Sequence, residues 1–255
     1  MVKIGSWNVC LGLKGKKDYV KSMICEKELD ICCIQECEIK PDYPSNMLTF
    51  KDYNLEVEIN NIKSRCCTYI RNSVNYKRRR DLEGEDKNLI VIEIGDAKKY
   101  FIINLYRSFC KQNNVSLMDR FIAQLNVIEK VIQDNPGHDT IIMGDFNLNH
   151  SLNHNSNYNY KSFFDKLNEL TSNTNLKQIV NFPTWSRVIN GQTKESILDH
   201  IYIKDVTLIT NLTSITPEIG DHKLITFEIN SDQPVLKSTL KRDWRFYNKD
   251  LLISN

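Results

Sequence analysis

Residues 141–150 read IIMGDFNLNH: three apolar residues run into a glycine, then a carboxylate, an aromatic ring and a carboxamide. Side chains alternate along a strand, so Asp145 and Asn147 share one face and Phe146 takes the other. That pattern either handles a polar object or makes an ordinary turn. Upstream lies a helix pattern. Ser116 is placed to cap it with Asp119 three residues on, and Leu117, Phe121, Leu125, Ile128 and Ile132 form its apolar stripe. Asp134-Asn135-Pro136-Gly137 stops it, which leaves Thr140 to Met143 as a buried strand.

Working outward, strand-like runs cover Val2 to Cys10, Leu29 to Ile34, Leu89 to Ile94 and Tyr100 to Tyr106, the last two joined by a Gly95-Asp96 turn. Shorter pieces lie around Tyr53–Ile59 and Arg65–Ile70. Ile197 to Ile203, Val206 to Ile209 and Lys223 to Ile229 read as three more strands. Val20, Met23 and Ile24, and later Phe163, Phe164, Leu167 and Leu170, have helical spacing. Strands interleave with helices, yet hairpins occur too. The reading is therefore α/β, with a mixed sheet or two packed sheets and helices outside.

Among 255 residues, 34 are basic and 32 acidic, so net charge decides nothing about nucleic acid. Local clusters are more informative: Lys14, Lys16 and Lys17; Lys77 to Arg80; and a basic, aromatic tail after the Ser231-Asp232-Gln233-Pro234 boundary. Each also reads as solvated loop charge. No run approaches the ~18 apolar residues of a membrane helix. The N-terminus is too polar for a secretory leader, which points to cytosol or nucleus. Eight cysteines without a Cys-x-x-Cys pair fit reduced, mostly buried thiols; Cys32, Cys33 and Cys37 lack zinc-site spacing.

Polar residues gather at strand ends: Trp7-Asn8, Gln35-Glu36, Tyr106-Arg107, Asp145 with Asn147, Asp199-His200 and Gly220-Asp221-His222. Each alone has a structural reading as a turn, surface or core residue. Together they match the way α/β sheets converge chemistry from several strand ends. Glu36, with Asn8 or Asp221, supplies hard oxygens that suit Mg²⁺. Asp145 is placed to take a proton from a water, oriented by Asn147. Asp199 is a partner for His222, fixing its tautomer or its charge. The set fits metal-assisted phosphodiester hydrolysis. The phosphate-binding loop, dinucleotide, zinc-protease and nucleophile-elbow motifs are all absent.

These motifs, in order and spacing, resemble the exonuclease–endonuclease–phosphatase (DNase I-like) superfamily. Within it, Phe182-Pro183-Thr184-Trp185-Ser186 before Leu198-Asp199-His200-Ile201, and the Lys241–Tyr247 tail, resemble the endonuclease domain of non-LTR (LINE-type) retrotransposons. The resemblance implies a four-layer α/β/β/α sandwich of two mixed sheets flanked by helices. It implies such a domain over 1–230 and a linker over 231–255 leading toward a reverse transcriptase domain outside this chain. It makes Glu36 the main metal ligand, with Asn8 and Asp221 contributing, for Mg²⁺ or alternatively Mn²⁺. Asp145 would activate the water, Asn147 would orient phosphate and Asp145, Tyr106 would touch the scissile phosphate, and His222 backed by Asp199 would stabilise the transition state. Thr184 would line the DNA groove. Trp185, Ser186, Arg107, Lys14 and Arg79 are the further DNA-contact candidates. Gly220 stands where these elements usually have Ser, and Trp185 where a basic residue is common.

The implied reaction nicks double-stranded DNA and leaves a 3′-hydroxyl that primes reverse transcription of the element's RNA. The protein would be synthesised in the cytoplasm and act in the nucleus, with no membrane partner. Three other readings stay open: an abasic-site repair endonuclease, a phosphoesterase for lipid or inositol phosphates, and a catalytically dead DNA-binding domain.

Overall fold

The alternation that begins at Ile141 organises the whole molecule. A computed structural model describes residues 1–44, 47–57, 63–85, 88–109, 115–151 and 160–230. Cys110 and the 231–255 tail lie outside the described residues. The strands are β1 (Val2–Asn8), β2 (Ile31–Ile39), β3 (Tyr53–Val57), β4 (Ser64–Arg71), β5 (Tyr76–Arg78), β6 (Leu89–Ile94), β7 (Tyr100–Tyr106), β8 (Asp139–Asp145), β9 (Lys177–Gln178), β10 (Trp185–Ile189), β11 (Gln192–Ser196), β12 (Asp199–Ile203), β13 (Ile209–Ile215) and β14 (Leu224–Ile229). The helices are α1 (Lys17–Glu26), α2 (Leu117–Asp134) and α3 (Lys161–Thr174). One sheet runs β13-β14-β1-β2-β4-β3 and the other β5-β6-β7-β8-β12-β9. The β1/β2 and β7/β8 pairs are parallel and their other neighbours antiparallel, so both sheets are mixed.

Side-chain parity builds the layers. Ile4, Ile31, Cys33, Ile102, Ile141, Met143, Ile201 and Phe227 point inward and meet between the sheets. Their chain neighbours Trp7, Cys32 and Ile34 face outward under Val20, Met23 and Ile24 of α1. Phe101, Ile103 and Ile142 do the same under Phe121 and Ile128 of α2 and Leu167 of α3. The result is the four-layer α/β/β/α sandwich. No helix among the described residues is long and apolar enough to cross a membrane.

Among the differences from the sequence reading, two have a clear local cause. Val206–Leu208 is a 3₁₀ turn rather than a strand, because the Asp205 carboxylate accepts the Thr207 N–H; β13 starts only at Ile209. The exposed β10–β11 hairpin was not expected, although its turn is Asn190-Gly191, with φ of 52° and 75°. Both central residues at positive φ match the turn that Asn-Gly favours in two-residue hairpins.

Two residues lock the 141–150 segment. At Gly144, φ is +140°, and a Cβ built there would lie 1.9 Å from the Leu105 carbonyl oxygen of the adjacent strand. His200 is fully buried beneath it, stacked on Phe146 at 4.9 Å between ring centroids. Its Nε2 faces the Leu148 and Ile197 carbonyl oxygens, so Nε2 carries the proton and Nδ1 accepts from the Tyr202 hydroxyl at 3.0 Å. Burial, reinforced by nearby His150, pushes the His200 pKa down to about 4.

Gly144→Ala forces backbone apart and is expected to lose about 3 kcal/mol or more of stability in urea titrations. For His200 the sign follows from its lowered folded pKa. Its full contribution is present above the unfolded value near 6.5 and is lost as pH falls toward 4, when only the unfolded chain takes the proton. The loss is on the order of 3 kcal/mol. Melting temperatures between pH 7 and 4.5 should therefore fall more steeply for the wild type than for His200→Gln.

Candidate active site

The inward-facing ladders turn polar at one end of the inter-sheet layer. Ile141 and Met143 are followed by Asp145, Ile203 and Ile201 by Asp199, Ile102 by Asn104 and Tyr106, and Ile4 by Ser6 and Asn8. Strand register then makes the neighbours. Asp145 stands opposite Asp199 across the antiparallel β8/β12 pair, and opposite Tyr106 across the parallel β7/β8 pair.

Two buried carboxylates face to face repel each other. His222 resolves the conflict. Its Nδ1 bonds Asp199 Oδ2 at 2.9 Å, and ligating atoms of Asp145, Asp199 and His222 all lie within 4.8 Å of one another. Burial works against the imidazolium, but Asp199 above all, with Asp145 and Asp221, outweighs it and holds the His222 pKa up to about 10. Burial and then the Asp199 charge push Asp145 up to about 7. Hydrogen bonds to Asp145 from Asn8 Nδ2 (2.8 Å) and the Asn147 N–H (2.8 Å) oppose that rise. The orientation expected from Asn147 thus runs through its main-chain amide; its carboxamide donates to the Arg107 carbonyl at 2.8 Å. Asn147 itself sits at φ 51°, a left-handed conformation that Asn tolerates.

Glu36 lies at the rim, partly exposed, where β2 bulges between Gln35 and Ile39 and Glu36 takes φ 53°. Its Oε1 accepts the Tyr106 hydroxyl at 3.1 Å and its Oε2 the Leu11 N–H at 3.0 Å. Burial and the Glu36 and Asp145 charges raise the Tyr106 pKa, keeping the phenol protonated. Burial and then the charges of Asp221 and Glu36 raise the pKa of the Cys10 thiol, so both carboxylates border one loop. Gly220, at φ +80°, packs there with little room: an added Cβ would stand 3.3 Å from that of Cys10.

A hard divalent cation suits this rim. Glu36, Asp221 and Asn8 Oδ1, which already takes the Cys10 N–H, are oxygen donors. The Asp145–Asp199–His222 group is a poorer cradle, because a ring charged at one nitrogen and bonded to Asp199 at the other has no lone pair to offer.

Three DNA-contact candidates are placed elsewhere. Thr184 is wholly buried and cannot line a groove; its hydroxyl accepts the Leu198 and Asp199 N–H groups at 3.0 Å each and so anchors Asp199. Arg107 is 2% exposed, beneath α2 and α3. Arg79 is neutralised by Asp81 and Glu93 and lies over the Phe101 ring. Lys14 is exposed, its Nζ 5.2 Å above the Tyr43 ring. Trp185 and Ser186 are partly exposed at the hairpin root. Trp185 bridges His222, and the Ser186 N–H donates to the Asp221 carbonyl at 2.9 Å.

The sequence reading missed Arg65, whose Nη1 reaches the Tyr106 hydroxyl at 3.3 Å while its guanidinium covers the Tyr106 ring. Only register across β2/β4 brings it there. It also missed exposed Arg187 and Lys194, paired across the hairpin next to His222. The Asn190-Gly191 signal was the available clue.

Solved structures share this architecture. The endonuclease domain of TRAS1, a telomere-specific non-LTR retrotransposon, is 14% identical with a TM-score of 0.68, over 91% of this chain and all of that one. The AP endonuclease LMAP from Leishmania major is 15% identical with a TM-score of 0.69, over 90% and 87%. The Xenopus laevis APE2 catalytic domain is 16% identical with a TM-score of 0.67, over 89% and 91%. Comparison with curated protein sequences gives no match. At such identities the likeness is one of fold. The sequence pattern of the Endonuclease/Exonuclease/phosphatase family, however, matches residues 5–222, from the middle of β1 through His222, and the chain belongs to that family.

Proposed function

We propose that the protein is a divalent-cation-dependent DNA endonuclease that nicks one strand and leaves a 3′-hydroxyl, the end that would prime reverse transcription of a non-LTR element. The observation that carries this reading is the Asp145–Asp199–His222 group beside Glu36 and Tyr106: a base, a fixed cation and a hard-oxygen rim around one space. Asp145, held by Asn8 and the Asn147 amide, takes the proton of an attacking water. His222, with Nδ1 engaged by Asp199, has Nε2–H left to meet charge developing on the phosphate oxygens. Tyr106 is protonated and donates its hydroxyl hydrogen bond to Glu36; once Glu36 holds a cation, that hydroxyl would turn to the same phosphate. Glu36, with Asp221 and Asn8, would hold a cation, Mg²⁺ by preference of donor type, which would neutralise phosphate charge and stabilise the leaving oxygen. The exposed hairpin carrying Arg187 and Lys194, and exposed Lys14, are backbone-contact candidates for duplex DNA. The work of such an enzyme would be on chromosomal DNA in the nucleus.

Plasmid relaxation tests the chemistry. Supercoiled DNA should be nicked with Mg²⁺ and left intact with a chelator. Asp145→Ala should slow nicking by about 10³-fold and His222→Ala by about 10²-fold, each variant folded by circular dichroism and His222→Ala melting at a lower temperature. Variants that nick at the wild-type rate would remove the assigned roles. The choice between target nicking and repair is made by substrate. Intact duplex should be cut about as well as duplex with one abasic site, and the nicks should be extendable by a polymerase without end repair. A preference of orders of magnitude for the abasic duplex would make the protein a repair enzyme instead.

A further inference from the structure

On the nuclease reading above, we infer that Arg107 is a positioning residue for the reaction: a buried cation that fixes the backbone turn from which Asp145 and Asn147 work. Its side chain passes from the helical layer to the underside of that turn. Nε donates to the Phe146 carbonyl oxygen, and Nη2 to that of Asn147 at 2.8 Å. The main chain closes the arrangement, with the Arg107 N–H on the Asp145 carbonyl at 2.9 Å and the Asn147 carboxamide on the Arg107 carbonyl at 2.8 Å. Three consecutive residues of the turn are thus gripped by one.

The guanidinium has no carboxylate at ion-pair distance among the described residues. It lies instead against the rings of Phe163, Phe121 and Phe109, at 4.6, 5.8 and 5.5 Å. Burying an arginine this way costs desolvation, and aromatic faces return only part of it. An apolar side chain would fill the space under the helices but leave the Phe146 and Asn147 carbonyl oxygens without these donors. The planar fork is what matches two carbonyls one residue apart. Asn147 sits left-handed there, and its amide is the one that holds Asp145. Loosening the fork frees that amide and moves the Asp145 carboxylate relative to an attacking water.

The test is a double-mutant cycle on nicking with Mg²⁺, alongside wild-type NMR. Arg107→Lys keeps the charge and loses the fork; its kcat should fall on the order of 10²-fold, with KM and the salt slope unchanged. Asn147→Ala removes the bond to the Arg107 carbonyl and puts at the turn a residue that resists the left-handed conformation; with the turn already released, the further loss from Arg107→Lys should stay within about threefold. A full second loss in that background, an unchanged kcat, or a raised KM with a shallower salt slope would overturn the role. If Arg107→Lys does not fold, the wild-type protein still decides. The Arg107 Nε–H and the Asn147 amide should both be strongly protected from solvent exchange, and free exchange at Nε–H would remove the grip. A wild type that leaves all DNA intact while both protons are protected would sink the nuclease reading and spare the geometry.

Discussion

Two carboxylates placed directly opposite each other in neighbouring strands set the terms for the rest of the molecule. Asp145 and Asp199 are buried and in register, a pairing that strand chemistry ordinarily avoids. It persists because His222 arrives from a third segment with a charge that both acids sustain. Thr184 and the hairpin root hold the surrounding chain, through hydrogen bonds to Leu198, Asp199, Asp221 and Lys223. Removing the imidazolium would leave two unscreened acids in an apolar layer. The stability of this end of the layer and the chemistry proposed for it therefore draw on the same three side chains.

The inter-sheet layer transmits this order toward Glu36. Gln35 Nε2 donates across the layer to Asn104 Oδ1 at 2.8 Å, and Asn104 Nδ2 reaches the Cys67 carbonyl at 2.9 Å. This is a direct bond from one sheet to the other, wholly out of solvent. It lies one residue from Glu36 and two from Tyr106, so it sets the separation at which those two meet. Gln35 Oε1 is buried without a partner among the described residues, a cost accepted next to the site.

Much of this was legible in the sequence because a strand has a period of two. Once IIMGD is read as a strand, Asp145 must follow Met143 onto the inner face, and the same parity sorts Asn8, Gln35, Tyr106 and Asp199. What parity cannot give is the partner across the gap. Arg107 reads as a free cation after a tyrosine, yet it faces outward into α2 and α3 and is covered. The family resemblance makes Thr184 a groove residue, yet its hydroxyl is taken by β12. Arg79 reads as part of a basic run, but its acidic partners are two and fourteen positions away and meet it through a turn and a strand pair. Burial and pairing decided each of these, and strand parity shows neither.

The order of strands in the first sheet carries one more implication. β1 lies between β2 and β14, and Val2 pairs with Ile229. Asn8 marks the end of β1 that faces the reactive centre; Val2 marks the other end. Asn230 therefore lies at the rear pole, about 20 Å behind the Asp145 and Asp199 carboxylates at ~3.3 Å per residue. A group joined at that pole would leave the polar cluster at the opposite end open to solvent.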